Sequence, residues 1–187
     1  MIFFALAMAC SDVKDDHDHH HHDHELITTL VLDFEATDGS ESFSAVWADA
    51  DQSGNPVVDD IVLTDGLTYN VMVSVLNELE EPAEDITEEI ADEADEHQVF
   101  FTGGAVGSLV SQSYLDSDSS GLPLGLENEF AVLSTGSDTL KVTLRHMPKE
   151  SGQSIKEEGL AEQALSDGIG SLPGDSDVSV DFSLSVE

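Results

Sequence analysis

Six of the chain's eight histidines fall within a single short run: His17, His19, His20, His21, His22 and His24, interleaved with Asp18 and Asp23. Neutral imidazole is a ligand for Zn²⁺, Ni²⁺ and Cu²⁺, and the neighbouring aspartates keep the local field negative. A tract with so many ligands and no apolar scaffold is expected to bind several ions, chosen by metal supply more than by geometry. Zinc is the first expectation, with nickel and copper as alternatives.

The other two histidines belong to the body of the chain. Glu93 and His97 stand four residues apart, a spacing at which a helix puts both on one face, where they can chelate one ion. His146 follows Leu140, Val142 and Leu144 at a period of two, so it is expected at the end of a strand, facing inward. If the helix and strand ends meet, Glu93, His97 and His146 form one ordered metal site. The alternative is that His97 caps a helix C-terminus, where a cation is favoured, and that His146 is a hydrogen-bonded residue at the rim.

Two loops have oxygen ligands at calcium-binding spacing. Asp49, Asp51, Ser53 and Asp60 follow D-x-D-x-S-G-x5-D, and Asp116, Asp118, Ser120 and Glu127 follow D-x-D-x-S-G-x5-E. Alternating oxygens, a glycine for the sharp turn and a closing carboxylate suit a hard cation such as Ca²⁺. The same residues are also ordinary β-turn material, and no helices flank either loop, so hairpin turns are the first reading. No G-x-S-x-G, H-E-x-x-H, C-x-x-C or phosphate loop occurs, and the sequence specifies no enzyme.

These residues need elements to position them. Alternating apolar and polar residues predict strands near Ile27–Phe34, Phe43–Trp47, Tyr69–Val75, Gln98–Phe101, Gly107–Tyr114, Phe130–Leu133, Thr139–Met147 and Val178–Val186. Turn signals such as Asp38-Gly39 and Asp65-Gly66 separate them. The pattern predicts a mainly β fold, an immunoglobulin-like antiparallel sandwich of seven or eight strands. One amphipathic helix, capped by Asp85 and with Ile86, Ile90 and Ala94 along one face, is expected from about Asp85 to His97, lying across the sandwich. The segment Pro148–Asp175 is long for a connection and contains a second, short helical pattern at Lys156–Leu165.

Forty acidic residues against five basic ones give a formal charge of −35, and no lysine or arginine occurs between Lys14 and Lys141. Nucleic acid is an implausible partner, because binding it requires neutralising phosphates with basic side chains. Nothing approaches the ~20 continuous apolar residues of a membrane span. The single cysteine, Cys10, follows the apolar run MIFFALAMA, and Ala7-Met8-Ala9-Cys10 resembles a lipobox. The chain is thus expected to divide into a signal remnant at 1–9, an acidic histidine-rich tether at 10–25 and a β-sandwich domain at 26–187. Acyl groups on Cys10 would supply the membrane contact that so acidic a domain lacks.

Several strings together resemble a family of short Bacteroidetes-type lipoproteins rich in histidine and aspartate. They are the Cys10-Ser-Asp start, the string from Leu76-Asn-Glu through Glu81-Pro-Ala-Glu-Asp-Ile-Thr-Glu-Glu-Ile90, Asp95-Glu-His-Gln-Val-Phe-Phe101, the Asp116–Gly125 turn and Val142-Thr-Leu-Arg-His-Met-Pro148. Members often bear the label of the type 1 periplasmic binding fold, which needs two lobes of parallel sheet. The short alternating strands here specify a sandwich instead. The resemblance implies lipoprotein status, and Lys14-Asp15-Asp16 after the cysteine resembles the acidic signals that send such lipoproteins to the cell surface. The combined expectation is a lipid-anchored, surface-exposed outer-membrane protein that binds zinc as an accessory to uptake, with an outer-membrane receptor as partner. The alternative is a calcium-stabilised structural or adhesive module that uses the histidine tract as a spacer.

Overall fold

A computed structural model of the chain describes residues 26–187. Alternation makes most of this span extended: β1 (Thr29–Ala36), β2 (Ser42–Ala48), β3 (Val57–Val58), β4 (Ile61–Leu63), β5 (Thr68–Asn77), β6 (Glu84–Asp85), β7 (His97–Thr102), β8 (Val110–Tyr114), β9 (Glu127–Val132), β10 (Gly136–His146) and β11 (Asp175–Val186). Two helices interrupt them, α1 (Ile86–Asp92) and α2 (Leu160–Asp167), the second followed by a 3-10 turn at Ile169–Ser171.

The strands form two sheets. One runs β3-β2-β1-β5-β9-β8, with β6 added beside β5, and the other runs β4-β11-β10-β7. Pairing is antiparallel except between β4 and β11, which run parallel from Leu184↔Ile61 to Val186↔Leu63. The expected β-sandwich is therefore present, with one parallel edge. Eight strands have five residues or more, as the alternation predicts; β3, β4 and β6 are the additions.

Inward-facing residues from both sheets make the core. Leu30, Leu32 and Phe34 of β1 and Val71, Val73 and Val75 of β5 oppose Leu140, Val142 and Leu144 of β10 and Val180, Phe182 and Leu184 of β11. Phe130 of one sheet meets Phe101 of the other edge-on, with ring centroids 5.3 Å apart, a favoured aromatic geometry. A smaller core lies on the outer face of the four-stranded sheet, where Phe100 and Met147 are covered by Leu160, Ala164 and Leu172. The long segment after β10 thus earns its length by packing α2 over this sheet.

The helices differ from expectation. Asp85 does cap α1, accepting from the Thr87 amide at 3.0 Å, and Ile86 and Ile90 are buried against the core. But α1 ends at Asp92, and His97 opens β7 instead of closing the helix. Asp92, Glu93, Asp95 and Glu96 crowd the end where a helix carries partial negative charge, which discourages another turn. Pairing of His97 with β10 then takes the chain in extended form. The second helical pattern is realised as α2, four residues later than its expected start.

Candidate metal centre

On β10, residues Leu140, Val142, Leu144 and His146 share one face, and on β7 His97, Val99 and Phe101 share the same interior. Their register pairs Val142 with Phe101, Leu144 with Val99, and His146 with His97. The apolar ladder therefore ends in two histidines side by side. Their rings are stacked, with centroids 4.6 Å apart and planes 15° apart. His97 is 0% and His146 6% exposed. The reading of His97 as a helix C-terminal residue is corrected here: strand pairing, not the helix face, brings it to His146.

α1 closes this pole of the sandwich, and its C-cap residue Glu93 hangs over the pair. The ligand atoms of Glu93, His97 and His146 all lie within 4.8 Å of one another, the one such grouping among the described residues, with Glu93 its solvent-reaching member. His97 Nδ1 lies 3.2 Å from the Glu93 carbonyl oxygen. A carbonyl can only accept, so Nδ1 is the donor in this contact and Nε2 is the ring nitrogen left to serve as a ligand. Metal-binding histidines are ordinarily oriented in this way, by donating the second ring nitrogen to a carbonyl or carboxylate. Two imidazoles and a carboxylate are a donor set suited to zinc with an open fourth position.

The backbone between α1 and β7 is gripped from outside by the segment after β10. The Met147 amide donates to the Glu96 carbonyl at 2.6 Å, and the Ser154 hydroxyl to the Asp95 carbonyl at 2.9 Å. The Lys149 ammonium reaches Asp95 at 2.8 Å and Glu96 at 3.0 Å. Burial pushes the Glu96 carboxyl up, but hydrogen bonds from the Lys149 side chain and amide outweigh it and hold the group below its ordinary value. The Lys156 ammonium donates to the Ala94 carbonyl at 2.8 Å and pairs with Asp118 at 3.2 Å. Lys149 and Lys156 were not singled out from the sequence. Their only signal was scarcity, two of five basic residues in a chain of −35.

The calcium-type loops both connect antiparallel neighbours, β2 with β3 and β8 with β9, as hairpin turns should. In the first, Asp49 accepts from the Ser53 and Gly54 amides, both at 3.0 Å, and Asp51 from Ser53 at 3.1 Å; Asp60 is exposed beyond the turn. In the second, Asp116 accepts from the Gly125, Leu126 and Glu127 amides at 2.7, 2.8 and 3.0 Å. Asp118 accepts from the Ser120 and Leu122 amides at 2.8 and 3.0 Å and faces Lys156. Ser120 and Glu127 are exposed. The loops' inner aspartates are thus bound to their own backbone, and the cation beside Asp118 is a lysine. Cys10 and His17, His19, His20, His21, His22 and His24 lie outside the described residues.

The molecule is, by class, a two-sheet β-sandwich that carries a His–His–Glu cluster at one pole. No protein-family model matches the chain, and no curated protein or solved structure does.

Proposed function

We propose that this protein binds a transition-metal ion, zinc first, at Glu93, His97 and His146. The observation that carries this reading is the face-to-face pairing of two core histidines under a carboxylate, with ligand atoms within 4.8 Å. Ligands ~2.0–2.1 Å from a tetrahedral zinc stand about 3.3 Å from one another, so the cluster closes by about 1.5 Å at most when an ion enters. In this reading the chain is held on the outer surface of the cell envelope by acyl groups at Cys10, and His17–His24 gather ions beside the fold. The ordered site then holds an ion for delivery to an outer-membrane uptake receptor. The role is capture and transfer, without catalysis.

The test uses the full chain with the six tract histidines replaced by asparagine. Calorimetric titration with Zn²⁺ should retain one stoichiometric site. His146→Gln should remove it, and Glu93→Gln should weaken it by more than the ~10–100-fold that loss of an outer hydrogen-bond partner costs. A zinc concentration a hundredfold above Kd should add about 2.7 kcal/mol of stability, or roughly 5–10 °C in Tm. If all binding leaves with the tract histidines, the fold is not a zinc receptor.

A further inference from the structure

A cleft of about 770 Å³ lies on the outer side of the four-stranded sheet, between the start of α2, the Leu122 turn and the end of β8. Gln98 and Phe100 of β7 point to this side, since their neighbours Val99 and Phe101 belong to the sandwich core. Phe100 is covered by α2. Gln98, 1% exposed, lines the cleft.

Gln98 Oε1 is buried and has no hydrogen-bond partner among the described residues. Buried polar atoms are nearly always paired, so such an acceptor asks for an explanation. The nearby Tyr114 cannot supply the donor. Burial pushes its hydroxyl well above the ordinary tyrosine value, against the opposing hydrogen bond that the Gln98 amide NH₂ gives the phenol oxygen. The tyrosine proton goes to the Val99 carbonyl at 3.0 Å, so only Oε1 of Gln98 is left without a donor among the described residues.

Nor can the protein's own cations. Among the described residues Lys141 pairs with Asp181, Lys149 with Asp95 and Glu96, and Lys156 with Asp118. Arg145 spends its guanidinium on the Leu172, Pro173 and Gly174 carbonyls. The cleft meanwhile has three exposed carboxylates in its wall, Glu157, Glu158 and Glu162, and apolar surface from Leu122 and Leu165.

We infer that this cleft binds an organic cation on a methylene stem, an alkylammonium or guanidinium group whose donors reach Gln98 Oε1 and the Glu162 carboxylate. The stem lies along Leu122 and Leu165, as the carbon chains of lysine and arginine lie along apolar surface in proteins generally. Both a free polyamine and a basic side chain of a peptide offer this chemistry.

The experiment titrates the full chain, in ~0.15 M NaCl to screen diffuse attraction, with spermidine and with a short arginine-containing peptide. Saturable one-to-one binding of either probe is expected, spermidine indicating a free amine and the peptide a basic side chain. Gln98→Leu, which leaves the charge unchanged, and Glu162→Gln should each weaken binding at least tenfold. Glu35→Gln, exposed on the other sheet, should leave it unaltered. In the unsubstituted chain the Gln98 side-chain amide resonances should shift on saturation, a readout that does not depend on any variant folding. Binding of neither probe, equal losses in Glu35→Gln and Glu162→Gln, or unmoved Gln98 resonances would overturn the inference.

Discussion

Lys156 is the residue on which the site's surroundings turn. Its side chain is 0% exposed and that of its partner Asp118 2%. Burial pushes the lysine down from its ordinary value. Burial pushes Asp118 up, but the Leu122 and Ser120 amides together with the ammonium more than reverse this, and the carboxyl ends below its ordinary range. A buried pair gains little over an apolar substitute, yet losing one partner strands the other charge. Lys156→Met is therefore expected to cost about 3–5 kcal/mol in urea unfolding, and adding Asp118→Asn should restore most of it. Because Asp118 and Glu96 are both held low in the fold, their contribution is present above the unfolded range near ~4 and fades as pH drops through their folded values. Stability should fall steeply below about pH 4, and Asp118→Asn should flatten that fall in the urea midpoint. At this scale His146 was legible, because period two along β10 fixes which way it points, whereas His97 was named as a ligand but placed on the helix instead of on β7. Lys156 was not: one lysine in a Gly/Ser-rich stretch has no pattern that names a partner 38 positions earlier.

The element that sets the position of β10's end is the return of the chain after α2. Arg145 draws in the carbonyls of Leu172 and Pro173 at 2.7 and 3.2 Å, and so presses Gly174 against the His146 backbone. Gly174 has φ +73°, and a Cβ there would collide with the His146 carbonyl. Gly174→Ala is expected to cost at least the ~1–3 kcal/mol of a strained backbone position. A thermal melt measures that cost, and zinc titration should show the His97–His146 pair disturbed as well. The eight longer strands were readable because each spans several alternations. β3, β4 and β6, at two or three residues, are too short to have a period and owe their pairing to their neighbours. α1 was read too long for a related reason. Apolar spacing continues to Ala94, while the forces that stop the helix, crowded carboxylates and the claim of β10 on His97, are not apolar.

Across the whole molecule, charge is the dominant fact. Four of the five basic residues lie between Lys141 and Lys156, and all four are engaged within the fold. The remaining surface is almost uniformly acidic, so the folded state works against its own repulsion at pH 7. Raising NaCl from 0.01 to 0.5 M should raise Tm, since the Debye length shrinks from ~30 Å to well under 10 Å. A flat or falling Tm would mean that the charges are spaced widely enough not to matter. The sandwich and its sign of charge were both written in the composition, but the joining of its two sheets was not. β11 lies between β4 and β10 in the sheet, so residues 61–63 find their partner only in residues 184–186. During synthesis, β4 and β10 emerge long before the strand that must fill the gap between them. Until β11 is available, the inner face of the seven-stranded sheet has half its cover missing. Such distant pairing makes for slow folding. The four-stranded sheet is therefore completed only when residues 175–186 are in place, so β11 acts as the keystone on which the covering of the core depends.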